Sequence, residues 1–218
     1  MSQLSVVSLP PPPPPPVMNG TTIVSGIAKN IEIKVKYDQF PFDLDDIRLG
    51  TFVGTIHQRD TYFSGSVGRL KMREEQIKSC GNEGFPYRVG KLIHYARSDS
   101  TEPKESDITA VTLEDESEVK ALKVVLERSY GVSVVVDKKR RLYNLGGRTR
   151  IHLDYVVGLG KFLEIEVVVQ PNESPEHANK EIASIMASLG IESKFLVAKS
   201  YSDLVLASLH TTGDEKQQ

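Results

Sequence analysis

A chain of 218 residues with 39% hydrophobic content can bury a sizeable core in one domain plus a tail. Its formal net charge of −2 argues against a surface built to coat nucleic acid or an anionic membrane, and its single cysteine, Cys80, cannot form an internal disulfide. No apolar run approaches the roughly 18 residues of a membrane span, and the N-terminus lacks the basic, apolar, small-residue order of a secretory signal, so a cytoplasmic location is expected.

Residues 1–27 read as a disordered tail, because the uninterrupted prolines Pro10 to Pro16 supply no backbone donors and favour an extended polyproline helix. The folded part is expected over residues 28–210, with a second frayed tail at 211–218. It opens with Lys29 to Tyr37, where Asn30, Glu32, Lys34 and Lys36 alternate with Ile31, Ile33, Val35 and Tyr37. Successive side chains of a strand point to opposite faces, so this strand has one charged and one apolar face. Asp43 to Phe52 is a short helix candidate with Asp43 as cap. Ile56 to Ser64 and Gly68 to Glu74 read as strand, turn and strand, with Lys71 and Arg73 opposite Leu70 and Met72.

A Gly-, Asn- and Pro-containing loop over Ile77 to Tyr87 precedes two more strand-like segments, Arg88 to Arg97 and Ser106 to Leu113. Between Leu113 and Tyr130 the apolar period lengthens, with Val119, Leu122, Val125 and Leu126 three or four apart and Gly131 as a stop, which predicts a helix. Val132 to Tyr143 is a β-branched strand that turns basic, closed by Asn144 to Gly147. Of its charges, Lys138 and Arg140 read as solvated, and Lys139 and Arg141 share the other face.

Arg148 to Gln170 repeats the first strand's pattern as a hairpin. Arg148, Arg150, His152 and Asp154 fall on one face, Thr149, Ile151, Leu153 and Tyr155 on the other, and after Gly158-Leu159-Gly160 the split separates Glu164 and Glu166 from Leu163, Ile165 and Val167. A half-buried strand with a solvated face gives the same alternation. Two helices follow, Pro175 to Leu189 and Tyr201 to Leu209 capped by Ser200, with Lys194 to Ala198 extended between them. About eight strands joined mostly by short turns predict an α+β protein built on an eight-stranded antiparallel β-barrel with helices packed outside. The charged faces then line the lumen, which must be wet, mixed in sign and ligand-filled, since so many charges cannot sit in a dry core.

The pieces NIEIKVK, HQRDTYF, GRLKMR, TRIHLDYVVGLGKFLEIE and SYSDL resemble the CYTH superfamily, the triphosphate tunnel metalloenzymes, over about Asn30 to Leu209, and look closest to its class IV adenylyl cyclase-like branch. The resemblance implies a tunnel that binds a triphosphate-containing small molecule on strand-borne Lys and Arg and holds Mg²⁺ or Mn²⁺ on strand-borne carboxylates. Carried onto this chain, the substrate-binding cations are Lys34, Lys36, Lys71, Arg73, Arg97, Arg141 and Arg150, the metal ligands are Glu32, Glu164, Glu166 and Asp154, and the catalytic groups are Lys34 and Arg150, joined by His152, whose place between Arg150 and Asp154 suits ligand contact or proton transfer as well as a hydrogen-bonded structural role. Those residue types suit the chemistry, because phosphoryl transfer depends on cations and a hard metal that stabilise a polyanion. Glu164 and Glu166 are roughly 7 Å apart on one strand face, close enough to serve one metal cluster. The first strand departs from the family's Glu-x-Glu-x-Lys, with Asn30 where the first Glu stands, and Ala96 stands where cyclase-like relatives carry Glu. A metal-dependent triphosphatase is the expected function, with an adenylyl cyclase and a non-catalytic binder of phosphorylated ligands as alternatives. Neither nucleic acid nor membrane is an expected partner; a homodimer is left open.

Overall fold

In the computed structural model, residues 26–43, 46–65, 67–79, 87–96 and 103–214 are described. Eight antiparallel strands, β1 (Gly26–Tyr37), β2 (Thr51–Phe63), β3 (Arg69–Ser79), β4 (Tyr87–Ala96), β5 (Lys104–Leu113), β6 (Val132–Asn144), β7 (Thr149–Val156) and β8 (Gly160–Val168), form a closed barrel in the order β1-β5-β4-β3-β2-β6-β7-β8. Closure removes exposed sheet edges. It runs through β1, whose first half pairs with β5 from Gly26↔Ala110 to Glu32↔Lys104 and whose second half pairs with β8 from Asn30↔Val168 to Tyr37↔Lys161. Beyond Glu32 the seam is filled by the chain that follows the second helix: Leu196 bridges Val35, and the amide of Val197 donates to the Lys34 carbonyl at 2.8 Å. The extended chain expected over Lys194 to Ala198 is shorter than that: Lys194 and Phe195 belong to the 3-10 turn Ser193–Phe195, and the chain is extended at Leu196, where it bridges Val35.

Three helices cover the barrel. α1 (Glu116–Tyr130) buries Val119 and Leu126 against Phe63 and Met72. Asp115 caps it by accepting from the amides of Ser117 and Glu118, and Gly131 follows it. α2 (Pro175–Leu189) has the expected bounds, fixed by Ser174 as N-cap, Pro175 in the first turn and left-handed Gly190 at the end. It packs Ala178, Ile182, Ile185 and Leu189 on the outward side chains Ile31, Ile33, Val35, Ile151 and Ile165, each buried aliphatic contributing about 1.5–3 kcal/mol. α3 (Tyr201–Asp214) runs past the expected end at Leu209. It sits over one barrel mouth, where its Leu204, Val205 and Leu206 meet the lumen-facing Tyr62, Ile93, Tyr95, Val134, Val136 and Phe162. No helix among the described residues is long and apolar enough to cross a membrane.

Two local expectations are corrected. Among the described residues of Asp43 to Phe52 there is no α-helix: Ile47–Leu49 makes a single 3-10 turn, and β2 begins at Thr51. Leu49 anchors that turn in the core, while Thr51 to Ile56 pair with Asn144 to Arg140. Gly50 joins the two at φ +87°, where a Cβ would lie 2.4 Å from the Asn144 carbonyl oxygen. Arg148 does not continue the charged face of β7. It precedes the strand and binds Glu173 and Glu181, the latter on α2.

Candidate functional site in the barrel lumen

The register decides which side chains share the lumen, because residues directly opposite on antiparallel strands point to the same side. Lys34↔Glu164, Glu32↔Glu166, His152↔Glu164, Arg150↔Glu166, Arg140↔Asp154, Asp60↔Arg73 and Tyr62↔Lys71 are such pairs. Lys34, Lys71, Arg73, Arg150, His152, Asp154, Glu164, Glu166 and Glu32 are thereby brought to one lumen. Lys36 shares that face but lies exposed at the rim, its ammonium 5.9 Å from the Phe162 ring. Arg97 falls outside the described residues.

Arg141 is a correction. It pairs with Leu153 and Thr55 on the outer face, stacks over Phe52 at 4.3 Å and donates Nε to the Tyr143 hydroxyl at 2.8 Å. Its place inside is taken by Arg140 and Lys138, expected to be solvated but 7% and 2% exposed. The register across the turn decides it: five residues, Leu145 to Thr149, lie between the paired Asn144 and Arg150, so even-numbered residues pair with even-numbered ones and Asp154 on the lumen face puts Arg140 and Lys138 there too.

Two arginine forks organise the site. Arg140 donates Nε and Nη2 to Asp154 at 2.7 and 2.6 Å, and Nη2 also reaches Glu164 Oε2 at 2.5 Å. Arg73 grips Asp60 through Nε and Nη2, both at 2.7 Å. Lysines complete each cluster. Lys138 lies 3.1 Å from Asp154, Lys71 2.8 Å from Asp60 and Lys34 3.1 Å from Glu164. Beside them Glu75 accepts from Gln58 at 2.6 Å and Lys91 at 2.7 Å. Asp154, with both oxygens bound by Arg140 and one also by Lys138 and the Tyr201 hydroxyl, is a counter-ion that aims Arg140. That corrects its expected role as an open metal ligand.

Burial and charge act oppositely on these groups. Burial pushes the Asp60 carboxyl up, but Arg73 and Lys71 overcome it and hold the group well below the usual range. Burial likewise opposes Lys34, Lys138 and Arg140 at Glu164, which nevertheless stays well below its ordinary value. Among the cations, burial with Arg73 beside it brings Lys71 down to about 7. Burial and then Arg140 lower His152, favouring neutral imidazole.

Some buried polar atoms have no hydrogen bond. Asn30 Oδ1, Gln58 Oε1 and His152 Nδ1 are such atoms on the lumen face, and buried polar groups ordinarily find a partner. Asn30 donates Nδ2 to Glu166, whose other oxygen lies 3.8 Å from Arg150 and 3.7 Å from His152 Nε2. Among the described residues no three His, Cys, Asp or Glu side chains converge on a ready metal position. Glu32 and Glu166 are direct cross-strand neighbours, and the Asn30 Oδ1 without a hydrogen bond adds a neutral oxygen on the same face. This all-oxygen set fits a hard divalent ion such as Mg²⁺ or Mn²⁺.

The CYTH domain family model matches residues 28–201. No curated protein matches the chain. Among solved structures, the PH1819 protein of Pyrococcus horikoshii superposes with a TM-score of 0.63 at 21% identity, covering 82% of this chain and 98% of that one. HpAC1 of Hippeastrum, described with a dominant triphosphatase activity, gives 0.52 at 16%, covering 83% and 95%. The Schizosaccharomyces pombe Mediator head module gives 0.53 at 8%, covering 74% and 94%. At these identities the likeness is one of fold.

Proposed function

The chain belongs to the CYTH family, and from that premise we propose that its barrel is a tunnel in which a small-molecule triphosphate is hydrolysed with the help of a divalent cation. The observation that carries the reading is the convergence of Lys34, Lys71, Arg73, Lys138 and Arg140, all on lumen-facing positions, with carboxylates that hold them in place. A chain of phosphates is the ligand chemistry that uses such a set. Arg73 and Arg140, oriented through Nε and Nη2 by Asp60 and Asp154, keep the Nη1 side of each guanidinium for phosphate oxygens, and the lysines add point charges. Their orientation is set before the ligand arrives, which is what electrostatic stabilisation of a transition state requires.

Since α3 lies over one mouth, the ligand approaches from the end where Glu32, Asn30, Glu166 and Arg150 stand. Those oxygens would hold Mg²⁺ or Mn²⁺, which when bound supplies Lewis-acid polarisation of a phosphoryl oxygen or of water. His152, with Nδ1 unbonded and its ring between Glu164 and Glu166, is placed to accept a proton as water attacks, and the two carboxylates then stabilise the imidazolium. The triphosphatase activity described for HpAC1 supports hydrolysis over cyclisation as the reading for this chain.

A second reading, a non-catalytic binder of phosphorylated ligands, is favoured by one observation: the first-strand position that bears Glu in the family's pattern is Asn30, and its amide is spent on Glu166. Release of phosphate from tripolyphosphate, thiamine triphosphate and ATP, measured with and without Mg²⁺ and Mn²⁺, separates the two. Metal-dependent release from at least one substrate is expected. No release from any of them by the natural protein or by Asn30→Glu, with tripolyphosphate still bound, would leave the binder.

A further inference from the structure

Tyr201 enters the lumen from outside the barrel. It is the first residue of α3 and is 6% exposed, and its ring has the Lys34 ammonium 4.2 Å and the Lys138 ammonium 4.7 Å from its centroid. Phe162 packs edge-on against it, centroids 5.0 Å apart at 77°, and its hydroxyl donates to Asp154 Oδ2 at 3.0 Å. Lys34 lies on β1 and Lys138 on β6, with β7 and β8 between them in the barrel. One aromatic ring thus contacts two cations that come from strands not adjacent in the barrel.

The helix start that delivers the ring is itself fixed. Ser200 and Asp203 cap each other, the Ser200 amide donating to Asp203 Oδ2 at 3.1 Å and the Asp203 amide to Ser200 Oγ at 3.2 Å. Arg69 of β3 binds the same Asp203 oxygen at 2.7 Å. The segment just before it is bonded to β1 at Lys34 itself, through the Val197 amide. Each ammonium is also drawn toward its own carboxylate, Lys34 to Glu164 and Lys138 to Asp154, both at 3.1 Å. A π face attracts a desolvated ammonium in addition to that pull.

We propose that Tyr201 is a positioning residue of the tunnel: its ring holds the ammonium groups of Lys34 and Lys138 as a pair turned to the ligand space, so that phosphate oxygens are gripped from β1 and β6 at once. The ligand half of this claim rests on the triphosphate reading above; the ring-and-lysine half does not. Each lysine already lies 3.1 Å from its own carboxylate; without the ring nothing further among the described residues ties the two ammonium groups to one another across β7 and β8.

Two measurements on wild type, Y201F and Y201M test it. In the unliganded protein, the ε-methylene signals of Lys34 and Lys138 carry an upfield ring-current shift in wild type and Y201F and lose it in Y201M. In chelator, Y201F binds inorganic tripolyphosphate within about threefold of wild type, and Y201M binds about tenfold more weakly. The Y201M loss vanishes in a K34Q/K138Q background, which a purely structural role would not produce. Absence of the shift in wild type overturns the proposal, as does Y201M affinity equal to wild type, or Y201F affinity as poor as Y201M, which would assign the effect to the hydroxyl. Should Y201M fail to fold, the wild-type and Y201F shifts and the Y201F affinity decide alone. If wild type binds no tripolyphosphate, the triphosphate reading fails, and the shifts still accept or reject the ring's hold on the two lysines.

Discussion

Replacing Arg140 by Met removes one cation from two buried carboxylates. Asp154 is 0% exposed and loses both arms of the fork, at 2.7 and 2.6 Å, while Glu164 loses its 2.5 Å partner. Breaking a buried ion pair from one side costs about 3–5 kcal/mol. Asp154 keeps Lys138 and Tyr201, and Glu164 keeps Lys34, which puts the cost at the lower end, about 3 kcal/mol. For a chain of this length that is a fall in Tm of about 6–12 °C, readable by circular dichroism at pH 7. Adding Asp154→Asn should recover at least about 1 kcal/mol, because the stranded charge is gone. Arg141→Met, one residue along but outside, loses its contacts with the Phe52 and Tyr143 rings and the Tyr143 hydroxyl bond and should cost about 1 kcal/mol. A drop below 2 °C for Arg140→Met, or equal drops for the two arginines, would refute the assignment of Arg140 to the lumen and Arg141 to the wall.

Three further outcomes are expected. Lys71, brought down to about 7 by burial and Arg73, is partly neutral at pH 8, so tripolyphosphate binding should take up protons at pH 8 and far fewer at pH 6; calorimetry in buffers of different ionisation enthalpy reads this, and a buffer-independent heat at pH 8 would contradict it. Asp60 and Glu164 have folded-state values depressed below their unfolded ones, so the stability they confer is present above about pH 4 and is lost as pH falls through the depressed values; Tm should decline steadily on acidification below about pH 5, and a flat profile to pH 3 would count against it. Gly90→Ala would set a Cβ 2.2 Å from Val119 Cγ2 and should destabilise the α1 contact by about 1–3 kcal/mol, partly restored by Val119→Ala; unchanged thermal unfolding would show that the helix can step away.

Much of the lumen was legible because period-two alternation needs no tertiary information. Asn30 to Lys36, Arg150 to Asp154 and Glu164 to Glu166 could each be assigned a face from the chain alone. α2 was legible to its bounds because Ser174, Pro175 and Gly190 are local stop and start chemistry. Arg140 is misplaced from the chain alone because parity depends on loop length: a four-residue turn at Asn144 to Gly147 pairs odd with even, whereas five residues lie between the paired Asn144 and Arg150. Arg148 was misread because its partners Glu173 and Glu181 lie beyond the hairpin, and a strand pattern cannot report on a helix that docks later. Tyr201 lies in the SYSDL piece that carries the resemblance, but its role was not legible: a tyrosine opening an amphipathic helix reads as core, and closure of the barrel mouth by α3 is what puts its ring beside Lys34 and Lys138.

The claim that these cations form a polyphosphate site is tested most directly by titrating inorganic tripolyphosphate into the protein in chelator, with wild type, Arg73→Met and Glu166→Gln side by side. Wild type should bind, Arg73→Met should weaken binding at least about tenfold through loss of a charge-assisted fork, and Glu166→Gln should bind equally or more tightly while losing Mn²⁺ affinity in a separate metal titration. No binding by wild type, or Arg73→Met binding as well as wild type, would contradict a triphosphate-binding lumen.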